Sequence, residues 1–181
     1  DAVSFSKNGA GQLVVQNTAN ASESDILVSV ERIQFSDKNY ALDLDGNAGI
    51  AAKAIIASFG AENLNAIMSP ALSIIDGGMT LNDVCDLVVN YQLIENVIRS
   101  NSNGAFVDHI YKNVAGVAPS QADHDTFTAL LDNGTYTKSS LLSLAARLTE
   151  AQVTTNSIDL IGVSGSADGE ILALQYDLGL G

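Results

Sequence analysis

The chain has 181 residues, of which 46% are hydrophobic, so it can bury a core as one domain or as two small ones. It carries 8 Lys and Arg residues against 21 Asp and Glu residues, a formal net charge of −13. This charge opposes binding to nucleic acid, whose affinity depends on neutralised phosphates, and it opposes docking on anionic lipid. The sequence also lacks an apolar run approaching the roughly 18 residues of a membrane span.

The first part of the chain, residues 1 to about 42, is predicted to be β-rich. Short strands are predicted at residues 3–6, 13–15, 26–31 and 40–42, and residues 3–6 alternate apolar with polar side chains. In the third stretch Ile26, Val28 and Val30 recur with a period of two, which places one set of side chains on a core. These residues are therefore expected to face the interior.

Helical spacing of apolar residues extends over residues 47–152 and predicts about five or six helices. Gly60 is expected to end the first helix as a C-cap. In the second, at residues 64–75, Pro70 is expected at a boundary or in the first turn, because proline disrupts a helix interior. Thr80-x-x-Asp83 has the residue types of a capping box and predicts the start of another helix.

A sequence pattern recurs within the helical region. Residues 75–80, I-D-G-G-M-T, align with residues 131–137, L-D-N-G-T-Y-T, at a period of roughly 56 residues. This recurrence predicts an internal duplication, with repeats at about residues 47–100 and 103–152.

The predicted fold class is α+β. A β-rich segment at residues 1–42 is followed by a mainly α-helical bundle at residues 43–155 and a β-like tail at residues 156–181. The tail contains two short apolar runs around a segment rich in Ser and Gly, which predicts a short C-terminal hairpin.

Asp43, Asp45 and Asn47 form the best metal candidate in the sequence. Oxygen ligands at alternate positions of a Gly-containing loop suit a hard cation such as calcium, and Asp37 could join them if the strands fold over this corner. The loop is not an EF-hand, because the required Gly and the bidentate Glu are missing. The same residues could instead cap a helix N-terminus, where Asp and Asn accept hydrogen bonds from unpaired amides. Both interpretations, a calcium site and a helix cap, are open at this point.

The sequence contains no recognisable catalytic motif. Each of the two histidines, His109 and His124, follows an aspartate, and an adjacent carboxylate could make His124 a ligand or a base. Arrangements such as G-x-S-x-G and H-E-x-x-H are absent, so both histidines are expected to be solvated residues on helix faces. The single cysteine, Cys85, is expected to be a buried small hydrophobe. The protein is predicted not to be an enzyme.

Two neighbouring segments resemble the start of a bacterial family of secreted domains, domain-of-unknown-function family 4214. They are V-E-R-I-Q-F-S-D at residues 30–37 and A-L-D-L-D-G-N-A-G at residues 41–49, and the resemblance extends from about Ser24 to about Glu150. Such domains commonly lie near the C-termini of exported surface proteins of the S-layer, adhesin and repeats-in-toxin calcium-binding types. The resemblance implies an extracellular location at the bacterial cell surface, and the acidic, cysteine-poor composition fits that location.

The predicted function is that of a non-catalytic structural or interaction module of an exported bacterial cell-surface protein, acting through self-association that calcium could assist. The expected partner is another copy of the chain or a neighbouring surface protein. Strands at residues 3–6 and 13–15 are too few to bury two faces, so an unpaired strand edge would need completion. The alternative is an accessory C-terminal domain of a type I-secreted, calcium-dependent enzyme.

Overall fold

Two small antiparallel sheets contain the strands of the described residues. The computed structural model describes residues 3–35, 39–149, 153 and 162–163. The strands are β1 Val3–Lys7, β2 Leu13–Asn17, β3 Ser24–Leu27, β4 Arg32–Gln34, β5 Asn39–Ala41 and β6 Gly162–Val163. The first sheet has the order β1-β2-β3, and the second has the order β4-β5-β6. Tyr40 of β5 is almost fully buried, and its ring lies 4.8 Å from that of Phe5 in β1, so the two sheets meet at these rings.

The alternating stretch at residues 26–31 is not a single strand. β3 ends at Leu27, the backbone turns at Ser29 with a φ of 51°, and β4 begins at Arg32. A non-glycine residue in the left-handed region interrupts an extended backbone. The prediction of one continuous strand is therefore wrong, because the chain changes direction within it.

The helical part confirms the α+β class. Its helices in the described residues are α1 Asn47–Phe59, α2 Leu64–Asp76, α3 Leu81–Asn90, α4 Leu93–Ile98, α5 Asn103–Ala115, α6 Gln121–Asp132 and α7 Lys138–Leu148, with a 3₁₀ turn at Ala61–Asn63. There are seven rather than five or six, because α4 forms a separate short helix after α3. None of these described helices combines the length and apolar character needed to cross a membrane.

Pro70 lies inside α2 rather than at its boundary. Proline has no backbone N–H to donate to the carbonyl four residues earlier, so its position leaves one helical hydrogen bond unmade. Its ring is buried on the core side of the helix, and that burial offsets part of the loss. The expectation of a helix boundary at Pro70 is wrong for this reason.

α1 is the central helix of the molecule. Of its 13 residues, 10 are buried, and it contacts α2, α3, α5 and α7. Small side chains let these neighbours approach closely, because five of the buried residues are alanines, at positions 48, 51, 52, 54 and 57. The larger Ile55 and Ile56 fill the space between the helices. An almost wholly apolar helix is accommodated because other helices surround it.

The same side-chain hydrogen bond occurs twice in the helical part. Asn47 Nδ2 donates to Asp76 Oδ1 at 2.8 Å, and Asn103 Nδ2 donates to Asp132 Oδ1 at 2.7 Å. Each bond joins the first residue of one helix to the last residue of the next, so α1–α2 and α5–α6 are held together at equivalent ends. Both residues of the second pair lie 56 positions after those of the first.

The ends of the helices repeat in the same way. Gly60 and Gly116 end α1 and α5 with φ values of 91° and 74°. Thr80 and Thr137 begin α3 and α7, each in a capping box. We infer that α1–α3 and α5–α7 are corresponding units of three helices. The predicted domain boundaries, at residues 42 and 155, stay a prediction.

Most of the predicted C-terminal hairpin lies outside the described residues. Within that region the structure describes β6, which pairs antiparallel with β5. The N-terminal sheet region and the C-terminal part of the chain are thus connected by a strand pair.

Candidate functional site

The carboxylate of Asp43 organises the corner that leads into α1. It forms an ion pair with Arg32 of β4, and its Oδ2 accepts a hydrogen bond from the Ala48 backbone N–H at 3.3 Å. Its main-chain carbonyl accepts from the N–H groups of Gly46 at 2.8 Å and Gly49 at 3.2 Å. Asp43 therefore satisfies the amides of Ala48 and Gly49, which the start of a helix leaves without intrahelical partners. The capping interpretation of this residue is confirmed.

Arg32 connects this corner to the end of α2. Besides contacting Asp43, its guanidinium donates to both carboxylate oxygens of Asp76, at 3.0 and 3.2 Å. Asp76 also accepts the Asn47 amide described above. The guanidinium of Arg32 thus joins β4 to the corner before α1 and to the end of α2, and its planar fork of donors suits a position between two carboxylates.

The four predicted calcium ligands differ in their surroundings. Asp43 and Asn47 already have protein partners, whereas the Asp45 side chain is exposed. Asp37 lies outside the described residues. Within the part of the chain that the structure describes, no group of three or more His, Cys, Asp or Glu side chains is arranged to hold a metal ion. A calcium ion on Asp43 would have to share that carboxylate with the guanidinium of Arg32. Calcium binding stays a prediction.

Both histidines bond to a neighbouring helix. His109 Nε2 lies 2.8 Å from the Ser58 carbonyl oxygen of α1, and His124 Nδ1 lies 2.6 Å from Asp108 Oδ1 of α5. The hydrogen bond to Asp108 raises the pKa of His124, against a smaller opposing effect of desolvation. His109 is half-buried against α1, so the expectation of a solvated residue is wrong for it, whereas His124 pairs with Asp108 in an exposed contact and is partly solvated. Sequence spacing could not reveal these contacts, because the partners are on other helices.

Cys85 is buried in α3, as predicted. Burial raises the pKa of its thiol to about 12. The thiol is therefore protonated at neutral pH, where a nucleophilic cysteine would need to be a thiolate. Cys85 packs as a small apolar side chain.

The most distinctive surface of the N-terminal sheet is the edge formed by β3 and the turn after it. β3 pairs with β2 on one side, and no described strand pairs with its other side. Ile26 is 57% exposed, Val28 is 65% exposed and Val30 is 38% exposed. The prediction that these three residues face a core is wrong. An alternating pattern shows that a strand has an apolar side, but it does not show whether this chain covers that side.

No family model, curated protein or solved structure matches this chain. The resemblance to domain-of-unknown-function family 4214 therefore stays a prediction.

Proposed function

We propose that the chain is a non-catalytic interaction module that associates with further copies of itself through the open edge of β3. The observation that carries the proposal is the exposure of Ile26, Val28 and Val30 beside a strand that has one partner among the described strands. Such an edge can add a strand from another chain, since main-chain hydrogen bonds supply affinity and alternate side chains supply specificity.

The sequence of this edge has few of the features that keep edge strands apart. Natural sheets protect their edges with Lys, Pro or inward-pointing charges. Residues 24–30, S-D-I-L-V-S-V, contain no Lys, Arg or Pro, and Asp25 is their only charged residue. Ile26 lies opposite Val14 of β2, so the apolar surface continues onto the neighbouring strand. This edge is suited to pairing with a similar one.

The family resemblance supports placing this association at the surface of a bacterial cell, in a protein of the S-layer, adhesin or filament type. With a net charge of −13, copies of the chain repel each other at low ionic strength. Added salt screens this repulsion, and calcium can in addition bridge carboxylates. Association is therefore expected to strengthen as salt or calcium is raised.

Sedimentation velocity of the full chain over a range of protein concentrations tests the proposal. Val28→Lys places a charge on the edge and is expected to weaken self-association at least about tenfold, or about 1.4 kcal/mol. Val117→Lys is the matched control, because Val117 is 63% exposed but lies in the connection between α5 and α6. A chain that remains monomeric at high concentration, with and without calcium, would contradict self-association. That result would favour the alternative function, in which the chain is an accessory domain of a secreted enzyme.

We also propose that calcium binds at Asp43, Asp45 and Asn47, with Asp37 as a further ligand. Calcium that binds only the folded chain raises its melting temperature by mass action, and Asp45→Ala is expected to remove this difference. Asp43→Ala is expected to destabilise the chain even without calcium, because it removes the cap and the ion pair with Arg32. Identical melting curves of a calcium-free preparation in calcium and in chelator would leave Asp43 with its capping role alone.

A further inference from the structure

The two corresponding three-helix units each contain an apolar groove, and the two grooves have equivalent walls. The first lies between α1, α2 and α3, and the second between α5, α6 and α7. Seven lining positions correspond at the spacing of the repeated helices. They include the pairs Ala54 and Ile110, Phe59 and Ala115, and Ala71 and Phe127.

Among the described residues, the second groove leaves more empty volume than the first. Their volumes are about 60 Å³ and about 240 Å³. In the first, Phe59, Ile67 of α2 and Leu93 of α4 occupy the space between the helices. The positions that correspond to Phe59 and Ile67 are Ala115 and Asp123, which have smaller or polar side chains. Other wall positions change in the opposite direction, since the second groove has Ile110 and Phe127 where the first has Ala54 and Ala71. The two grooves therefore differ in shape, and the second leaves the larger volume.

The rim of the second groove is exposed and apolar. Leu144 and Leu148 of α7 are 42% and 68% exposed. α6 is also less buried than α2: Leu131 is its only buried residue, whereas seven residues of α2 are buried. An engineered apolar cavity of about 150 Å³ takes up benzene, so the second groove has room for at least one large apolar side chain.

A negative charge lies beside the second groove: Asp123 does not line the groove, but it contacts Tyr111, which does. The hydroxyl of Tyr111 donates to Asp123 Oδ2 at 3.3 Å, and the ring of Tyr111 lies 6.2 Å from that of Phe127. A carboxylate and aromatic faces together favour a cation, which interacts with both. The corresponding positions of the first groove are Ile67 and Ala71, so this charge is particular to the second groove.

We propose that the groove between α5, α6 and α7 binds an amphipathic helix of a partner protein, with aliphatic residues on one face and Lys or Arg beside them. We infer aliphatic residues in the partner because aliphatic side chains of α2 and α4 line the corresponding first groove. Asp123 and the net charge of −13 favour a partner with Lys or Arg residues. This site is separate from the edge of β3 and goes beyond the self-association proposed above.

The C-terminal residues of the chain and a second copy of the chain suit the negative charge of Asp123 less well than a cationic helix does. The remaining C-terminal residues 154–181 contain four acidic residues and no Lys or Arg. A second copy docking groove to groove would bring Asp123 against Asp123, which like-charge repulsion disfavours. An external cationic helix satisfies both the apolar walls and the carboxylate.

Fluorescence anisotropy with a labelled synthetic helix tests the site. The probe has leucines at positions i, i+4 and i+7 and lysines elsewhere, and a second probe has glutamates in place of the lysines. The full chain is expected to bind the lysine peptide at least about tenfold more tightly than the glutamate peptide. Asp123→Asn is expected to reduce this preference.

Two substitutions test whether the groove is the binding site. Ala115→Phe introduces the residue of the first groove and is expected to weaken binding at least about tenfold. Ala129→Phe is its control, because Ala129 is exposed on α6 and does not line the groove. Leu148→Ser is a second test that leaves the core intact, since Leu148 is 68% exposed. Circular dichroism establishes that each variant is folded.

Several outcomes would overturn the proposal. They are no binding of the lysine peptide, equal binding of both peptides, or binding that neither Ala115→Phe nor Leu148→Ser weakens. Loss of self-association in Ala115→Phe would instead identify a second copy as the occupant. Peptide binding that survives Val28→Lys would show that the groove works independently of the β3 edge, so the two proposals can fail separately.

Discussion

Gly49 is the residue at which one added carbon most directly affects the fold. It lies in the first turn of α1, and a Cβ at this position would be 1.8 Å from the Leu44 carbonyl oxygen. This close approach follows from the Asp43 corner, which folds the chain back against the start of the helix. The corresponding residue at the start of α5 is Ala105, which is preceded by Ser102 as an ordinary side-chain cap.

Gly49→Ala is therefore expected to destabilise the chain by about 3 kcal/mol, because the backbone of the corner must move to relieve the overlap. Urea denaturation followed by circular dichroism measures the loss. Gly9→Ala is the matched control, since a Cβ at Gly9 would have no atom within 4 Å. Its effect is expected to be below about 1 kcal/mol. Equal effects of the two substitutions would contradict this account of the corner.

The pairing of His124 with Asp108 makes the contact between α5 and α6 sensitive to pH. Because the hydrogen bond to Asp108 raises the pKa of His124 in the folded chain, folding favours the protonated ring. The contribution to stability is fully present below the pKa of an unfolded histidine, about 6.5, and is lost as pH rises through the raised pKa. Wild type and His124→Asn should thus differ most in melting temperature below about pH 6.5 and converge at higher pH.

Asp108→Asn provides the control for this pH effect. It retains a hydrogen-bonding side chain but removes the carboxylate charge. NMR titration of His124 in this variant is expected to give a lower pKa than in wild type. An unchanged pKa would show that Asp108 is not the cause.

At the scale of single helices, local hydrogen bonds set where several elements begin. Thr80 accepts from the Asp83 N–H at 3.3 Å while Asp83 accepts from the Thr80 N–H at 2.8 Å. Thr137 and Ser140 form the equivalent pair at the start of α7. Each pair spans three residues, so the capping box at Thr80 could be predicted from spacing alone.

Thr80→Ala and Thr137→Ala are each expected to cost about 1 kcal/mol of stability near neutral pH, because each leaves helix amides unpaired. The loss of stability caused by the two substitutions should differ at acidic pH. The side-chain and backbone hydrogen bonds from Thr80 lower the pKa of Asp83, so this stabilisation is present above the unfolded pKa and is lost as pH falls. Ser140 has no charge to lose. Denaturation at several pH values should show an acid-dependent effect for Thr80→Ala only; parallel pH profiles would contradict it.

Other features of the elements could not be predicted from local spacing. α2 continues through Pro70 because the ring is buried against other helices, and that contact is absent from a helix considered by itself. The strand predicted at residues 26–31 is interrupted, because β3 ends at Leu27 and the chain turns at Ser29 toward β4. In both cases tertiary packing overrides an intrinsic preference that a sequence pattern reports.

At the scale of the whole molecule, the two three-helix units share one core. α1 contacts α5 and α7, and α3 contacts α7, so helices of the first unit lie against helices of the second. Leu142 of α7 is fully buried in this shared core. The units therefore depend on each other for burial of their apolar faces.

Leu142→Ala is expected to lower stability by about 2–5 kcal/mol, because it leaves a cavity in the shared core. Unfolding in urea is expected to remain a single transition. Circular dichroism at 222 nm and tyrosine fluorescence should give coincident curves, and the chain has no Trp to obscure the tyrosine signal. Two separate transitions would show that the units fold independently.

The α+β class, the helix start at Thr80, the helix end at Gly60 and the spacing at which helical patterns recur could all be predicted from the sequence. These features depend on hydrogen bonds and φ angles within a few residues, or on periodicity along one helix, so they are present in the sequence order. Which apolar residues are covered depends on how the strands and helices pack, so it could not be predicted in this way. The exposure of Val28, the bridge from Arg32 to Asp76 and the open groove beside Tyr111 all depend on residues far apart in the chain. Such contacts exist only after the strands and helices have packed together.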